Sequence, residues 1–230
     1  MRITMRHHFD FGADRTIVGE DLVRPTAWDA LRTSTQGAFA LARSPAELER
    51  AARARGELTE RARAIDRWFE DHRMETVASY GVGAASLEWW LCHISPERSM
   101  VLADYAPRTV ERLRELFPGI EVCRHDLRTD PPLSADVHLF HRVDTELSDG
   151  QWRETFARFA RETVLLVATE VATPRRLAYE LLVRARSRRP TRAGWLRTRD
   201  AFQTLWQGTH EAQALRLHDL EGWALTPRCP

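Results

Sequence analysis

Apolar residues after position 74 are grouped in short runs, and most runs are followed by a helical pattern of period about 3.6. The runs that predict strands are Glu75–Ser79, Met100–Ala103, Ile120–Arg124, Asp136–His141 and Thr163–Thr169. Strands that alternate with helices are typical of a parallel sheet with helices on both faces. Two helices, 174–189 and 197–207, are expected next. His210–Leu220 and Gly222–Pro227 then predict an antiparallel hairpin that turns at Glu221-Gly222.

Residues 1–73 carry helical patterns and are expected to form a helical N-terminal extension. Ser44-Pro45-Ala46-Glu47 is a capping box with proline at the first helical position, so a helix should begin there. A second helix should run from about Leu58 into the first strand. The signals before Ser44 are weaker: Trp28–Leu41 is a candidate helix, and the first 20 residues are expected to be loop. We therefore divide the chain into an extension, 1–73, and an α/β domain, 74–230.

The composition is that of an ordinary globular protein. The chain has 230 residues, of which 43% are hydrophobic and 29% charged, and its formal net charge of +1 gives no overall case for binding nucleic acid or an acidic surface. Three cysteines without C-x-x-C spacing suggest neither a disulfide framework nor a zinc site. No segment is as apolar and long as a membrane span, and no apolar leader is evident at the start, so we expect a cytoplasmic protein.

The most informative chemistry lies in the first turn of the α/β domain. The strand Glu75–Ser79 is followed by Gly81-x-Gly83 and a helix, and the next strand ends in Asp104, 21 residues beyond Gly83. Glycines allow a tight turn and close approach to a ligand, a helix N-terminus offers free amides, and an acid can accept hydrogen bonds from ribose. The pattern predicts a nucleoside-binding site. A nicotinamide dinucleotide is disfavoured because Ser86 stands where its fingerprint requires glycine.

From Met74 to Arg228 this order of motifs resembles class I S-adenosylmethionine-dependent methyltransferases of the small-molecule type. The quoted motifs are Ser79-Tyr-Gly-Val-Gly-Ala-Ala85, Asp104-Tyr-Ala-Pro107, His125-Asp-Leu127 and Phe140-His-Arg-Val-Asp-Thr-Glu-Leu-Ser-Asp149. The resemblance implies a Rossmann-like, seven-stranded, mostly parallel sheet with a C-terminal antiparallel hairpin. It departs from the family at Ser79, where an acid is usual, and at Ala85, where a third glycine is usual.

The resemblance also implies which residues hold S-adenosylmethionine. The methionine end would rest on the Tyr80–Gly83 amides, the ribose on Asp104, and the adenine near Tyr105 and Asp126. The full set assigned to the cofactor is Ser79, Tyr80, Gly81, Val82, Gly83, Asp104, Tyr105, Asp126, Leu127, His141 and Arg142.

Candidate catalytic residues lie in the loop after the fourth strand. His141 has an ordinary pKa suited to a general base, and Asp144 could orient it or bind the acceptor; polar lining is the competing interpretation. Plant-type O-methyltransferases carry a catalytic His in this loop, and aligning Leu147-Ser-Asp149 with their Trp-Ser-Asp places that His on Thr145. No metal is expected, because the position of the family's metal-binding Asp-Asn pair reads Thr169-Glu170.

The expected function is methyl transfer to a small molecule, in specialised metabolism, with an acceptor pocket between the sheet edge and the N-terminal helices. One alternative is an RNA methyltransferase that uses the Arg175–Arg199 stretch, which holds nine arginines and one acid. That alternative lacks the Asn/Asp-Pro-Pro-aromatic tetrad. Another alternative is an inactive relative, which Ser79 and Ala85 would favour. A homodimer is compatible with the sequence, but no feature argues for one.

Overall fold

The computed structural model describes residues 1–8, 25–33, 39–186 and 192–228. Its helices are α1 (Pro25–Thr33), α2 (Pro45–Arg53), α3 (Gly56–Asp71), α4 (Ser86–Ile94), α5 (Pro107–Leu116), α6 (Asp149–Arg158), α7 (Pro174–Arg186) and α8 (Arg199–Trp206). Its strands are β1 (Thr4–His8), β2 (Thr76–Tyr80), β3 (Ser99–Asp104), β4 (Glu121–Arg124), β5 (Val137–His141), β6 (Val164–Val167), β7 (Arg192–Arg197), β8 (His210–Leu217) and β9 (Leu220–Pro227).

The main sheet has seven strands in the order β4-β3-β2-β5-β6-β9-β8. Strands β2 to β6 are mutually parallel; Val77, for example, pairs with Met100 of β3 on one side and with Val137 of β5 on the other. The last two strands are antiparallel, since β9 pairs with both β6 and β8. The predicted α/β fold, with its parallel strands and terminal hairpin, is confirmed.

Two hydrophobic layers cover the sheet. Successive strand residues point to opposite faces, so Val77 packs in one layer and its neighbour Ala78 in the other. The first layer buries residues of α2, α3, α4 and α5, among them Ile65 and Leu113. The second layer is rich in aromatic side chains from α6, α8 and the strands, and its members include Tyr80, Phe140, Trp152, Phe156, Phe159, Trp206 and Trp223.

The N-terminal region differs from the sequence-based expectation. Residues Thr4–His8, expected as loop, form β1, which pairs antiparallel with β7 in a separate two-stranded sheet. Neither strand was predicted, because β1 is polar and its partner lies almost 190 residues away. Helix α1 begins and ends earlier than the predicted Trp28–Leu41 helix. Residues 9–24 and 34–38 of this region, and the predicted helical end at 187–189, lie outside the described ranges.

The terminal hairpin turns at His218-Asp219 rather than at Glu221-Gly222. Gly222 instead lies within β9 and pairs with Val167 of β6. A Cβ atom on Gly222 would lie 2.8 Å from the Leu166 carbonyl oxygen, so the glycine allows a close backbone approach. The predicted turn was wrong because this glycine serves strand packing.

A buried ion pair joins α3 to the segment that leads into β3. The Arg98 guanidinium pairs with the Asp66 carboxylate, and both side chains are almost fully buried. Ser95 Oγ also donates to Asp66 Oδ2 at 3.0 Å, and Arg98 Nε donates to the Met74 carbonyl oxygen at 3.1 Å. These bonds fix the end of α3 beside the first strand.

Replacing Arg98 with Met should lower the free energy of unfolding by about 3–5 kcal/mol, because Asp66 would keep a buried charge without its partner. Denaturant unfolding measures the loss. Arg63→Met is the matched control, since Arg63 pairs with Glu60 at an exposed site and should change stability by less than about 0.5 kcal/mol. Equal effects of the two substitutions would contradict the role assigned to Arg98.

Candidate active site

The carboxyl ends of β2, β3, β5 and β6 meet at one sheet edge and enclose a cavity of about 260 Å³. Ligands of open α/β sheets bind at this edge. A second cavity of about 50 Å³ adjoins it, and Gly81, Tyr105, Val143 and Glu146 line both. Together the cavities approach the lower bound of small-molecule sites, about 300 Å³.

The turn after β2 depends on its glycines. Gly81 and Gly83 have φ angles of 62° and 66°, in the left-handed region that favours glycine. A Cβ atom on Gly81 would lie 2.5 Å from Val143 Cγ1, and one on Gly83 would lie 2.8 Å from an Arg32 guanidinium nitrogen. Ala85 keeps a φ of 61° although it carries a side chain, so the backbone of the usual third glycine is preserved.

Ser79, where an acid is usual, is linked to an acid elsewhere. Its buried hydroxyl donates to Glu88 Oε1 at 2.9 Å. Glu88 belongs to the first turn of α4, is buried, and lines the larger cavity. Burial raises the pKa of Glu88 to about 7. The sequence prediction missed this carboxylate; an acid in the first turn of the helix after the glycines was the available signal.

Asp104 ends β3 beside the glycine turn, as predicted. Its carboxylate accepts hydrogen bonds from the Ala106 amide at 3.0 Å and from the Gly83 amide at 3.5 Å. Burial raises the pKa of Asp104, and the Arg32 cation partly opposes that rise. The next residue, Tyr105, has a buried hydroxyl without a hydrogen-bond partner among the described residues.

The residues predicted to lie near adenine gather around the smaller cavity. Asp126 and Leu127 both line it, together with Tyr105. Burial tends to raise the pKa of Asp126, but hydrogen bonds from Arg128 outweigh that effect and leave it lowered. Among the described residues, His125 Nδ1 is buried there without a partner.

His141 and Arg142 end β5 and line the larger cavity, as predicted. Within the described ranges, His141 Nε2 is buried and has no hydrogen-bond partner. Burial, together with the nearby Arg61 and Arg142 cations, holds the pKa of His141 well below its usual range. His141 is therefore neutral near pH 7.

Two predicted site residues are placed differently from expectation. The Asp144 carboxylate accepts hydrogen bonds of 2.7 Å from both the amide and the hydroxyl of Thr169, and Asp144 does not line either cavity. It holds the ends of β5 and β6 together; no contact with His141 is found. The Tyr80 side chain packs in the aromatic layer on the other side of the sheet, where its hydroxyl meets His138 Nδ1 at 3.0 Å. Val82 lines the larger cavity.

Helix α1 contributes three side chains that the sequence did not single out. Trp28 Nε1 donates to Glu146 Oε2 at 2.9 Å. Arg32 lies against Gly83, and its Nε is buried with no hydrogen-bond partner among the described residues. Burial raises the pKa of Glu146 to about 7, while Trp28 and Arg32 oppose the rise. A local motif does not reveal these contacts, because α1 lies about 50 residues or more before the residues it meets.

Arg197 of β7 fixes the loop between β5 and α6. Its fully buried guanidinium donates to Asp149 Oδ1 at 2.8 Å and to the Leu147 carbonyl oxygen at 2.6 Å, and it also contacts the Asp144 carbonyl. Thr4 of β1 donates to the second Asp149 oxygen at 2.9 Å. The two-stranded sheet thus holds the loop that carries Thr145 and Glu146.

Within the described ranges, no group of three or more His, Cys, Asp or Glu side chains could hold a metal ion. Among the described helices, none has the length and apolar character that crossing a bilayer requires.

No family model matches the chain, and no curated protein matches it. Solved structures do. Human N-acetylserotonin methyltransferase, determined in complex with SAM, is 17% identical over 81% of this chain and 57% of its own, with a TM-score of 0.59. TnmH is 18% identical over 94% and 64%, with a TM-score of 0.64. Mitomycin 7-O-methyltransferase MmcR is 18% identical over 94% and 76%, with a TM-score of 0.60.

The chain spans less than two thirds of the length of the first two neighbours. At these identities the likeness establishes the fold. The protein has the fold of class I S-adenosylmethionine-dependent methyltransferases, as the sequence motifs predicted.

Glu88→Gln should flatten the pH dependence of stability. The folded state holds the Glu88 proton more tightly than the unfolded chain does, so the free energy of unfolding should fall as pH rises from about 4.5 to about 7. This shift corresponds to roughly 3 kcal/mol lost above pH 7, which the amide would avoid. Denaturant unfolding at a series of pH values measures it.

Glu57→Gln, at an exposed position in the first turn of α3, is the control and should leave the pH profile unchanged. Identical profiles for the parent and Glu88→Gln would contradict a buried, proton-binding Glu88.

Proposed function

We propose that this protein transfers the methyl group of S-adenosylmethionine to a small-molecule acceptor in specialised metabolism. The observation that carries the proposal is a set of buried polar atoms that share one cavity and lack partners within the described residues. They are Arg32 Nε, the Tyr105 hydroxyl and His141 Nε2. Because buried polar groups are nearly always hydrogen-bonded, such a set at the carboxyl edge of a parallel sheet indicates a polar ligand.

The residues present fit the cofactor. The amides of the Gly81–Gly83 turn and the Asp104 carboxylate would hold its methionine and ribose parts, and Tyr105, Asp126 and Leu127 would border its adenine. When bound, S-adenosylmethionine supplies a methyl group on a sulfonium; the acceptor atom bonds to that carbon, the S–C bond breaks, and its electron pair stays on sulfur. The protein's task is chiefly to align the acceptor.

The cavity offers a charge of each sign to an amino acid group. The cationic Arg32 lies on Gly83, where a carboxylate would find a guanidinium. Glu88, held by Ser79, lies on the same turn and would face the ammonium group. Glu88 therefore supplies the carboxylate that Ser79 lacks, which argues against the inactive-relative alternative.

His141 is best suited to contacting the acceptor as a neutral side chain. Its lowered pKa makes it a weak base, and Asp144, bound to Thr169, does not orient it. Thr145 and Glu146 follow in the same loop, and both line the cavity. We assign His141 a positioning role and assign Asp144 to the support of the loop.

The basic stretch Arg175–Arg199 gives little support to an RNA substrate. Several of its arginines have partners within the chain. Arg176 pairs with Glu170 and Glu180, Arg197 with Asp149, and Arg199 with Glu221. A small molecule remains the substrate that fits the enclosed cavity.

Titration calorimetry with S-adenosylhomocysteine tests the cofactor site. We expect saturable binding by the parent and at least about tenfold weaker binding by Asp104→Asn, because a charged hydrogen-bond acceptor is lost. Asp71→Asn, at the exposed end of α3, is the control and should bind like the parent. Absence of binding by a folded parent protein would remove the proposed function.

Arg32→Met should reduce the preference of the protein for S-adenosylhomocysteine over 5′-methylthioadenosine, which lacks the carboxylate and the ammonium group. The affinity for the first ligand should fall about tenfold and that for the second should change little, because only the first presents a carboxylate to the guanidinium. Calorimetry on both ligands measures the ratio. A parallel loss for both ligands would assign Arg32 a structural role only.

A further inference from the structure

We propose that the methyl acceptor carries an oxyanion, a carboxylate or a phenolate, which Arg55 and Arg142 hold at the mouth of the larger cavity. This inference rests on the proposed function and names the chemical class of its second substrate. Both arginines line the cavity, and both are exposed.

Charge is divided across the cavity in the order of the strands. The carboxylates of Asp104 and Glu88 lie at the β3 and β2 side, where Asp104 ends β3 and Glu88 is bonded to Ser79 of β2. Arg142 follows β5, the next strand in the sheet, and Arg55 lies between α2 and α3. Neighbouring strands are about 4.8 Å apart, so the cavity presents acids at one side and cations at the other. A cationic cofactor fits the first side and an anionic acceptor the second.

The two guanidinium groups lack partners within the described residues: neither makes a hydrogen bond or an ion pair there. The nearest acids are already engaged. Asp219 forms a two-pronged pair with Arg61, with distances of 2.8 and 3.0 Å from Arg61 Nη2. Asp144 is bound by Thr169. An oxyanion from outside would therefore be the counter-charge for these two cations.

The electrostatics around Arg142 agree with this arrangement. Burial, Arg61 and Arg55 all lower the pKa of Arg142, while Asp144 and Asp219 only partly oppose them. His141 Nε2, adjacent in the chain and buried without a partner in the described residues, is a further polar atom at this side of the cavity. It can donate a hydrogen bond to an oxyanion from the neutral imidazole.

An ionised acceptor also fits the loop after β5. When the attacking oxygen is itself the anion, it holds no proton, so methyl transfer needs no general base. The family's catalytic His position is Thr145 here, which cannot act as one at neutral pH. The absence of a base at that position and the free cations at the mouth are explained by the same acceptor chemistry.

The experiment measures binding of matched probes to the protein saturated with S-adenosylhomocysteine, by ligand-observed NMR titration. The carboxylate arm compares 2-naphthoate with 2-naphthamide, and the phenolate arm compares 4-nitrophenolate with nitrobenzene. We expect the anion of at least one pair to bind about tenfold more tightly than its neutral partner. The arm with the preference identifies the source of the oxyanion.

The double variant Arg55→Met/Arg142→Met should abolish that preference while the affinity for the neutral probe stays the same. The control, Arg63→Met, removes a cation from the exposed face of α3 and should keep the preference. Equal binding of anion and neutral partner by the parent, including no binding of either, would overturn the proposal. So would a preference that survives in the double variant.

S-adenosylhomocysteine affinity is measured separately for every variant, and circular dichroism checks that each is folded. A parent that binds the cofactor product without preferring anions would refute the anionic acceptor alone. A parent that binds no cofactor product would refute the proposed function, and the probe titration would then be repeated on the free protein to judge the cation pair by itself.

Discussion

The buried guanidinium of Arg197 is the interaction on which the arrangement of the site depends. It carries a positive charge into a fully buried position and is stabilised there by Asp149 and by backbone carbonyl oxygens of the β5–α6 loop. Removing a buried charge's partners costs several kcal/mol, so the loop and β7 must stay together. Because β7 is paired with β1, the first residues of the chain and the loop beside the cavity are held as one unit.

The sheet then decides which chemistry meets at the cavity. Parallel strands bring Asp104, the glycine turn and His141 to the same edge, although they are widely separated in the chain. Helices α1 and α4 add the groups that complete the electrostatics, Arg32 and Glu88. Neither helix residue ends a strand, yet each lies against the glycine turn or its strand.

The sequence predicted best where local pattern and burial coincide. The continuous apolar run at Thr163–Thr169 could only be a buried strand, and acids or histidines at strand ends were found because topology places them at one edge. It failed where the structure depends on distant contacts. Strand β1 has no apolar alternation and exists through its pairing with β7, and Gly222, read as a turn, relieves a close approach to Leu166. Asp144 looked catalytic because it is an acid near the site, but its hydrogen bonds to Thr169 are invisible in the sequence.

The bond between Ser79 and Glu88 has a consequence for the thermodynamics of the cavity. A carboxyl group whose pKa is about 7 is divided between its protonated and ionised forms at neutral pH. A cation that enters beside it favours the ionised form and displaces the proton, so ligand and proton compete for one oxygen pair. Cation binding there is then an exchange reaction, whose observed heat includes protonation of the buffer, and the strand serine sets the balance through its hydroxyl.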